Sequence, residues 1–228
     1  MFTIIMPAYN REASLEESAV KVSACLQKNY RNGWQMIIAD CGSTDKTTTV
    51  ARRLARTNKR MKAVCEASMA KSFRKCTKFL KGDAVVIKPE LANNAEQIKT
   101  IIKLFSDRTS GPDIVNGSRF VKGARYPSFA RKLICGFYNL FVRLVFKTKK
   151  LDYQCGLNGF REKVFRHLCV ATKTEGMLWL TEALIRAARM EYDIAQIPVD
   201  YEHRWRINPG ALTKTFRELF EIKRSVRL

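Results

Sequence analysis

Two segments near the N-terminus decide the fold: TIIMPAYN at residues 3–10 and MIIADCGSTD at residues 36–45. Each is a short apolar run that stops in polar turn residues, which is typical of the buried strands of a parallel sheet. The apolar residues of the intervening stretch, residues 12–28, have helical spacing. Strand, helix and strand bring both strand ends to one edge of a sheet. Because ligands of open α/β sheets bind at that edge, we expect a ligand site there.

Strands and helices continue to alternate along the chain, which predicts an α/β fold with a mostly parallel, doubly wound sheet flanked by helices. We predict further strands at residues 35–39, 61–65, 84–87, 113–119 and 194–199. The predicted helices run from Ser43 or Thr44 to about 57, from 68 to 80, from Asn93 or Asn94 to about 105, from 128 to 147 and from 177 to 190. Residues 151–160 are predicted to be rich in turns. We expect one domain at residues 1–212 and a basic C-terminal helix at residues 213–228.

The net charge of +21 is concentrated in the middle of the chain, where residues 51–150 hold 24 Lys and Arg against 6 Asp and Glu. Such a field attracts polyanions, which include nucleic acid, anionic lipid head groups and phosphorylated substrates. Nucleic acid is the least favoured of these, because the sequence contains no nucleic-acid-binding motif. A hydrophobic content of 46% excludes a disordered chain.

The seven cysteines form no Cys-x-x-Cys pair, which favours reduced thiols in a cytoplasmic setting, and two histidines are too few for a His-rich metal site. No apolar run reaches the roughly 18 residues of a membrane span. Residues 129–146 instead combine apolar side chains with flanking lysines and arginines, as in helices that lie on an anionic membrane surface. The alternative is an ordinary core helix with a basic outer side. We expect a protein on the cytoplasmic face of a membrane, held peripherally.

The order and spacing of five motifs resemble the family-2 glycosyltransferases with a GT-A fold. The resemblance is strongest to the branch that transfers mannose or glucose to dolichyl and other polyprenyl phosphates. The motifs are Pro7-Ala8-Tyr9-Asn10, Asp40-Cys41-Gly42-Ser43-Thr44-Asp45, Gly117-Ser118-Arg119, Asp152-Tyr153-Gln154-Cys155-Gly156 with Gly159-Phe160-Arg161, and Ile197-Pro198-Val199 with Arg204, Gly210 and Lys214. This resemblance implies inverting transfer from a GDP-linked or UDP-linked sugar to a polyprenyl or dolichyl phosphate. It also implies partners at an anionic membrane surface, among them a membrane-anchoring protein.

The resemblance assigns candidate residues to each half of the reaction. The nucleotide would contact Pro7, Ala8, Tyr9 and Asp40, and the acceptor and its phosphate would contact Arg119, Arg131, Gln154, Arg204 and Lys214, with Arg206 a further candidate. Asp152, Glu182, Lys88 and Glu90 are the catalytic candidates. An Asp accepts hydrogen bonds from a base edge, and a guanidinium can hold a phosphate at two points. Structural alternatives stay open: a turn residue for Asp40 or Asp152, a surface ion pair for Arg119 and a solvated helix face for Glu182.

The end of the predicted strand at residues 84–87 departs from the family pattern. The resemblance implies an Asp-x-Asp pair there that binds Mg²⁺ or Mn²⁺, whereas this chain has Lys88-Pro89-Glu90. A hard divalent cation prefers several oxygen ligands, so Glu90 beside a lysine makes a poor metal site. Two interpretations follow. Either Lys88 supplies the positive charge for the leaving diphosphate, or the chain binds nucleotide, lipid or a partner enzyme without turnover.

Overall fold

Seven strands form one sheet with helices packed on both faces. The computed structural model describes residues 1–125, 129–200 and 209–226. The strands are β1 Phe2–Ala8, β2 Trp34–Cys41, β3 Met61–Glu66, β4 Asp83–Ile87, β5 Ile114–Ser118, β6 Leu157–Phe160 and β7 Ile194–Pro198. Their order across the sheet is β3-β2-β1-β4-β6-β5-β7. Only β6 runs antiparallel to its neighbours among these strands, so the predicted mostly parallel α/β sheet is confirmed.

The helices bury one face each against this sheet. Within the described ranges they are α1 Leu15–Asn29, α2 Thr47–Thr57, α3 Met69–Cys76, α4 Gln97–Ser106, α5 Phe129–Phe146, α6 Glu162–Ala171, α7 Trp179–Arg189 and α8 Pro209–Ser225. In α1 the buried apolar side chains recur three or four residues apart, which places them on one face. Helices α1, α2 and α4 pack on one side of the sheet, and α3 with α5–α8 on the other. The central strands are therefore covered on both faces, which explains why β1, β2 and β4 are buried at every position.

Several predicted boundaries were wrong for local reasons. Helix α2 begins at Thr47 rather than at Ser43 or Thr44, because Asp45 accepts the Thr47 N–H at 2.9 Å and closes a turn before the helix. Residues 89–94 form a 3₁₀ turn and α4 begins at Gln97, so Asn93 and Asn94 do not cap it. Asn94 exchanges hydrogen bonds with the main chain of Asp200 instead.

The segment at residues 151–160, predicted to be rich in turns, contains β6. This strand has only four residues, and its Asn and Gly disfavour a strand on propensity alone. Its partners on both sides supply the hydrogen bonds, since Ile87 pairs with Leu157 and Asn116 pairs with Asn158. Because β6 is antiparallel, its beginning lies at the edge where β4 and β5 end.

The C-terminal helix begins at Pro209, four residues before the predicted position, and packs into the core through Leu219, Ile222 and Val226. The division into residues 1–212 and 213–228 stays a prediction. Within the described parts of the chain, none of the helices combines the length and the apolar character needed to cross a bilayer.

Candidate functional site

The loops after β1 and β2 are joined by hydrogen bonds at the carboxyl edge of the sheet. Asn10 accepts the Thr44 N–H at 2.9 Å through Oδ1 and donates its own N–H to Ser43 Oγ at 3.0 Å. Its φ of 50° lies in the left-handed region, which Asn tolerates better than most residues. The Arg11 N–H donates to Thr47 Oγ1 at 2.7 Å. These contacts hold the first two motifs as one unit.

Asp40 lies near the end of β2, where its carboxylate is buried and hydrogen-bonded within its own loop. Oδ1 accepts the N–H and the hydroxyl of Ser43 at 3.1 and 2.6 Å, and Oδ2 accepts the Thr48 hydroxyl. The Ser72 hydroxyl donates to the Asp40 carbonyl at 2.6 Å. Three of about four acceptor positions of the carboxylate are therefore occupied, which leaves one for a ligand N–H. Both sequence interpretations of Asp40, turn residue and base contact, are compatible with this geometry.

The other predicted nucleotide residues end the neighbouring strand. Ala8 pairs in register with Asp40, and Pro7 precedes it in β1. Tyr9 follows the strand and is 46% exposed, so its ring is accessible to a ligand at this edge. The structure thus brings together Pro7, Ala8, Tyr9 and Asp40, as the sequence predicted.

Lys88 and Glu90 follow β4, the strand next to β1. The Lys88 N–H donates to Gly156 O at 3.0 Å, which ties this strand end to the start of β6. Glu90 Oε2 lies 3.8 Å from Arg11 Nη2, so its carboxylate is already paired with a cation from the first loop. Glu90 also lines a small cavity of about 120 Å³ with Glu17, Ser18 and Lys21 of α1.

The donor set at this edge does not fit a divalent metal. The described residues contain no group of three His, Cys, Asp or Glu side chains arranged to hold an ion. Glu90 is the one carboxylate of the Lys88-Pro89-Glu90 segment, and Arg11 pairs with it. A Mg²⁺ or Mn²⁺ ion would also have to lie beside the Lys88 ammonium, which repels it.

Arg119 and Asp152 form a buried ion pair at the end of β5. Arg119 Nε and Nη2 donate to the two carboxylate oxygens at 2.6 and 2.7 Å, and the Arg119 N–H donates to Oδ2 at 3.1 Å. The N–H of Gln154 and the amide of Asn139 also donate to Oδ1, at 3.3 and 3.4 Å. Burial disfavours the charged guanidinium, yet the pair with Asp152 keeps the pKa of Arg119 above its ordinary value. The alternative of a surface ion pair for Arg119 is wrong, because both side chains are enclosed.

Three asparagines that sequence reasoning missed hold this pair in place. Asn116 exchanges hydrogen bonds with the main chain of Asp152, at 3.1 and 3.2 Å, and its amide donates to Asn158 Oδ1 at 2.8 Å. Asn139 accepts the Tyr153 N–H at 3.1 Å. A polar Asn116 inside the apolar strand β5 was the available signal, since a buried amide needs partners.

Glu182 is wholly buried on α7 and lies among structural partners. Its carboxylate accepts the N–H groups of Lys173 and Thr174, at 3.1 and 2.7 Å, and pairs with Arg186 Nε at 2.7 Å. Arg186 Nη2 in turn donates to the Ser225 hydroxyl at 3.2 Å, which links α7 to the end of α8. The alternative of a solvated helix face is wrong. The catalytic roles of Asp152 and Glu182 stay predictions, and this geometry favours structural roles for both.

The remaining acceptor candidates are placed only in part. Gln154 is exposed beside the Asp152 carboxylate, at the edge where the acceptor is expected. Arg204 and Arg206 lie outside the described residues. Arg131 and Lys214 belong to α5 and α8, but their side chains also lie outside what the structure describes.

Helix α5 has two different faces. One face is buried and meets the ion pair, where Cys135 Sγ lies 3.6 Å from Arg119 Nη1 and Asn139 contacts Asp152. The other face exposes a stripe of large apolar side chains, which we call the α5 stripe: Phe129, Leu133, Phe137, Leu140 and Leu144. Exposed basic residues flank it at Lys132, Arg143, Lys147, Lys149 and Lys150.

The sheet order and the gathering of motif residues at its carboxyl edge define a fold of the GT-A class of nucleotide-sugar transferases. Glucosyl-3-phosphoglycerate synthase from Mycobacterium tuberculosis, solved with UDP, superposes with a TM-score of 0.71 at 17% identity, over 97% of this chain and 78% of that one. A structure of the same enzyme with Mn²⁺, UDP and phosphoglyceric acid gives a TM-score of 0.67 at 18% identity, over 96% of this chain and 76% of that one.

Residues 3–87 match Glycosyl transferase family 2. Over this stretch, which holds the first two motifs and strands β1 to β4, the chain is similar to that family.

Curated relatives match over longer stretches. Glycosyltransferase AglD of Haloferax volcanii is 27% identical over 88% of this chain and 33% of its own length. The dolichyl-phosphate beta-glucosyltransferase of Saccharomyces cerevisiae is 22% identical over 87% of this chain and 66% of its own. The dolichol-phosphate mannosyltransferase of Pyrococcus furiosus is 30% identical over 58% and 37%. This chain thus spans between a third and two thirds of the length of these relatives.

Proposed function

We propose that this protein transfers a sugar from a nucleoside-diphosphate sugar to a polyprenyl or dolichyl phosphate, with inversion at the anomeric carbon. The relatives named for dolichyl-phosphate substrates support this acceptor class. The donor half rests on the loops after β1 and β2, where Asp40 keeps one acceptor position for the base and Tyr9 is exposed.

The burial and pairing of the carboxylates of Asp152 and Glu182 favour a phosphate acceptor over a hydroxyl acceptor. Asp152 and Glu182 are both wholly buried, and each is already paired with an arginine and with main-chain N–H groups. A hydroxyl acceptor needs a base to remove its proton. A phosphate monoester is already largely anionic at neutral pH, with a second pKa of about 6, and needs none. An anionic nucleophile therefore suits this site better than an alcohol.

In this mechanism a phosphate oxygen of the acceptor attacks the anomeric carbon as the bond to the donor diphosphate breaks. The electrons of that bond leave with the nucleoside diphosphate. Arg119, held by Asp152 at the end of β5, lies on the acceptor half of the edge. Lys88 follows β4, which is separated from β5 by β6, and therefore lies nearer the donor half.

The α5 stripe supplies a place for the lipid. Its apolar side chains point away from the core while the opposite face of the same helix contacts Arg119. A helix with exposed apolar residues and basic flanks binds the interface of an anionic bilayer. We therefore place the protein peripherally on a membrane. Its seven free thiols are consistent with the reducing cytoplasmic face.

The test is a transfer assay with UDP-glucose, UDP-N-acetylglucosamine, UDP-galactose, GDP-mannose and GDP-glucose against a short-chain polyprenyl phosphate in anionic vesicles. Sugar that moves into the organic phase, with Mn²⁺ or with EDTA, supports the proposed function. Polyprenol without phosphate is the matched control and should accept no sugar. Equal transfer to polyprenol would contradict the role of the acceptor phosphate.

A second candidate is a binding protein without turnover. It is favoured because the residues that the structure describes contain no group of metal ligands. It predicts binding of UDP or GDP with no organic-phase product from any of these donors. The same assay, combined with nucleotide titration, separates the two candidates.

A further inference from the structure

The backbone of Lys88 lies at the centre of the candidate site. β4 lies between β1, which ends in the nucleotide loop, and β6, which begins beside the acceptor-side ion pair. The main-chain hydrogen bond from Lys88 to Gly156 O fixes the backbone of this residue at that junction.

Gly156 leaves the space that the Lys88 side chain occupies. A Cβ atom added at Gly156 would lie 2.7 Å from Lys88 Cδ, 2.8 Å from Cγ and 3.0 Å from Cβ. Carbon atoms that are not bonded prefer separations of about 3.5–4.0 Å, so any side chain at position 156 would displace the lysine stem. The direction in which Lys88 extends therefore depends on a glycine at that position.

The charge of Lys88 reaches both halves of the edge. Burial raises the pKa of the Cys41 and Cys155 thiols to about 12, and the Lys88 ammonium acts on each in the opposite direction. Cys41 ends β2 and Cys155 precedes β6, the strands on either side of the β1–β4 pair. Lys88 is half-buried, and its side chain makes no ion pair or hydrogen bond with any residue that the structure describes.

We infer that Lys88 binds the donor diphosphate in place of a divalent metal, and that Gly156 is the residue that positions it. This assignment rests on the proposed function, because it needs a nucleoside diphosphate at this edge. A lysine ammonium is a compact charge that binds phosphate well. Glu90, the one carboxylate of the segment, lies 3.8 Å from Arg11 Nη2, so a metal bound to it would have a second cation beside it.

The test is calorimetric titration of the full chain with UDP and GDP, and with uridine and guanosine, first in EDTA and then in Mn²⁺. We expect the diphosphates to bind in EDTA, with a Kd that changes by less than about threefold when Mn²⁺ is added. Lys88→Gln should raise the diphosphate Kd about tenfold or more, because a charge-assisted contact is lost, and leave the nucleoside Kd unchanged. Lys103→Gln, an exposed lysine near the end of α4, is the matched control and should behave as wild type.

Gly156→Ala should weaken diphosphate binding in the same direction, and the double variant should be no weaker than Lys88→Gln alone, because both changes remove one interaction. If Gly156→Ala fails to fold, the Lys88→Gln comparison decides by itself. If nucleotide binding disappears in EDTA and returns with Mn²⁺, the proposed role of Lys88 is overturned. Wild-type affinity of Lys88→Gln for the diphosphates overturns it as well. Neither result contradicts the proposed function. A chain that binds neither nucleotide in either buffer overturns both.

Discussion

Arg119 and Asp152 face each other across two short hydrogen bonds, with the guanidinium and the carboxylate both enclosed by protein. Each neutralises a charge that burial would otherwise make costly. Their main-chain positions are fixed as well, through the Arg119 N–H and through Asn116. This pair gives Asp152 the task of positioning Arg119, and it joins the end of β5 to the segment that leads into β6.

Asp152→Asn should destabilise the protein by about 3–5 kcal/mol, because Arg119 would remain buried without its partner charge. Urea unfolding followed by circular dichroism measures the free energy of unfolding. Glu191→Gln, at an exposed position, is the control and should lie within about 0.5 kcal/mol of wild type. A loss of less than about 1 kcal/mol in Asp152→Asn would contradict a strongly coupled buried pair.

Gly42→Ala should disturb the nucleotide loop. Gly42 has a φ of 84°, and an added Cβ would lie 2.6 Å from the carbonyl oxygen of Ala67. Strain of this kind costs about 1–3 kcal/mol and should shift Asp40, two residues earlier. We expect a lower melting temperature and weaker binding of UDP and GDP. Gly176→Ala, where nothing lies within 4 Å of the added atom, should change neither quantity.

Phe137→Glu should release the protein from anionic vesicles without unfolding it. Phe137 is 69% exposed in the α5 stripe, so the fold does not depend on its side chain. Loss of one buried phenyl ring from the bilayer should weaken binding to phosphatidylserine vesicles about tenfold or more. Val170→Glu, at a 75% exposed position on α6, is the matched control and should bind as wild type in a sedimentation assay. Equal losses in both variants would indicate a charge effect rather than docking of the α5 stripe.

Glu175 should make part of the stability dependent on acidic pH. The hydrogen bond from the Ser68 hydroxyl, aided by Arg74, holds the pKa of Glu175 below its ordinary value. The contribution of the ionised Glu175 carboxylate to the free energy of unfolding is therefore complete above its unfolded pKa of about 4.3. It is lost as pH falls through the lower pKa of the folded state. Glu175→Gln should lower the melting temperature slightly at pH 7 and show a smaller difference from wild type at pH 3. An equal difference at both pH values would contradict this linkage.

Much of the sheet could be predicted from the sequence, because strands buried on both faces are continuous apolar runs. β1, β2, β3 and β4 were predicted to within two residues on this basis. β6 was missed because its four residues, with Asn158 and Gly159, carry no strand signal of their own, and its neighbours impose the structure. The start of α2 was missed because Asp45 closes a turn before the helix, and the start of α4 because Asn94 bonds to the main chain of Asp200 instead of capping the helix.

The residues of the site could be listed from the motifs, but their partners could not. Nothing local indicates that Asp152 pairs with Arg119, 33 positions away. The four-residue spacing of Glu182 and Arg186 on a helix allows an ion pair, but it does not indicate that the pair is buried inside the core. Burial decides whether such a carboxylate is a base or a structural group, and burial is a property of the folded chain. Likewise, the need for a glycine at position 156 is visible only in the folded chain, where a Cβ atom would collide with the Lys88 side chain.

A crystal structure of the protein soaked with UDP or GDP in the presence of Mn²⁺ tests the account most directly. We predict the base against Asp40, the diphosphate within hydrogen-bond distance of Lys88 Nζ, about 2.7–3.2 Å, and no anomalous manganese signal between the phosphates and Glu90. A manganese ion that bridges the diphosphate and Glu90, or a nucleotide bound away from this sheet edge, would contradict it.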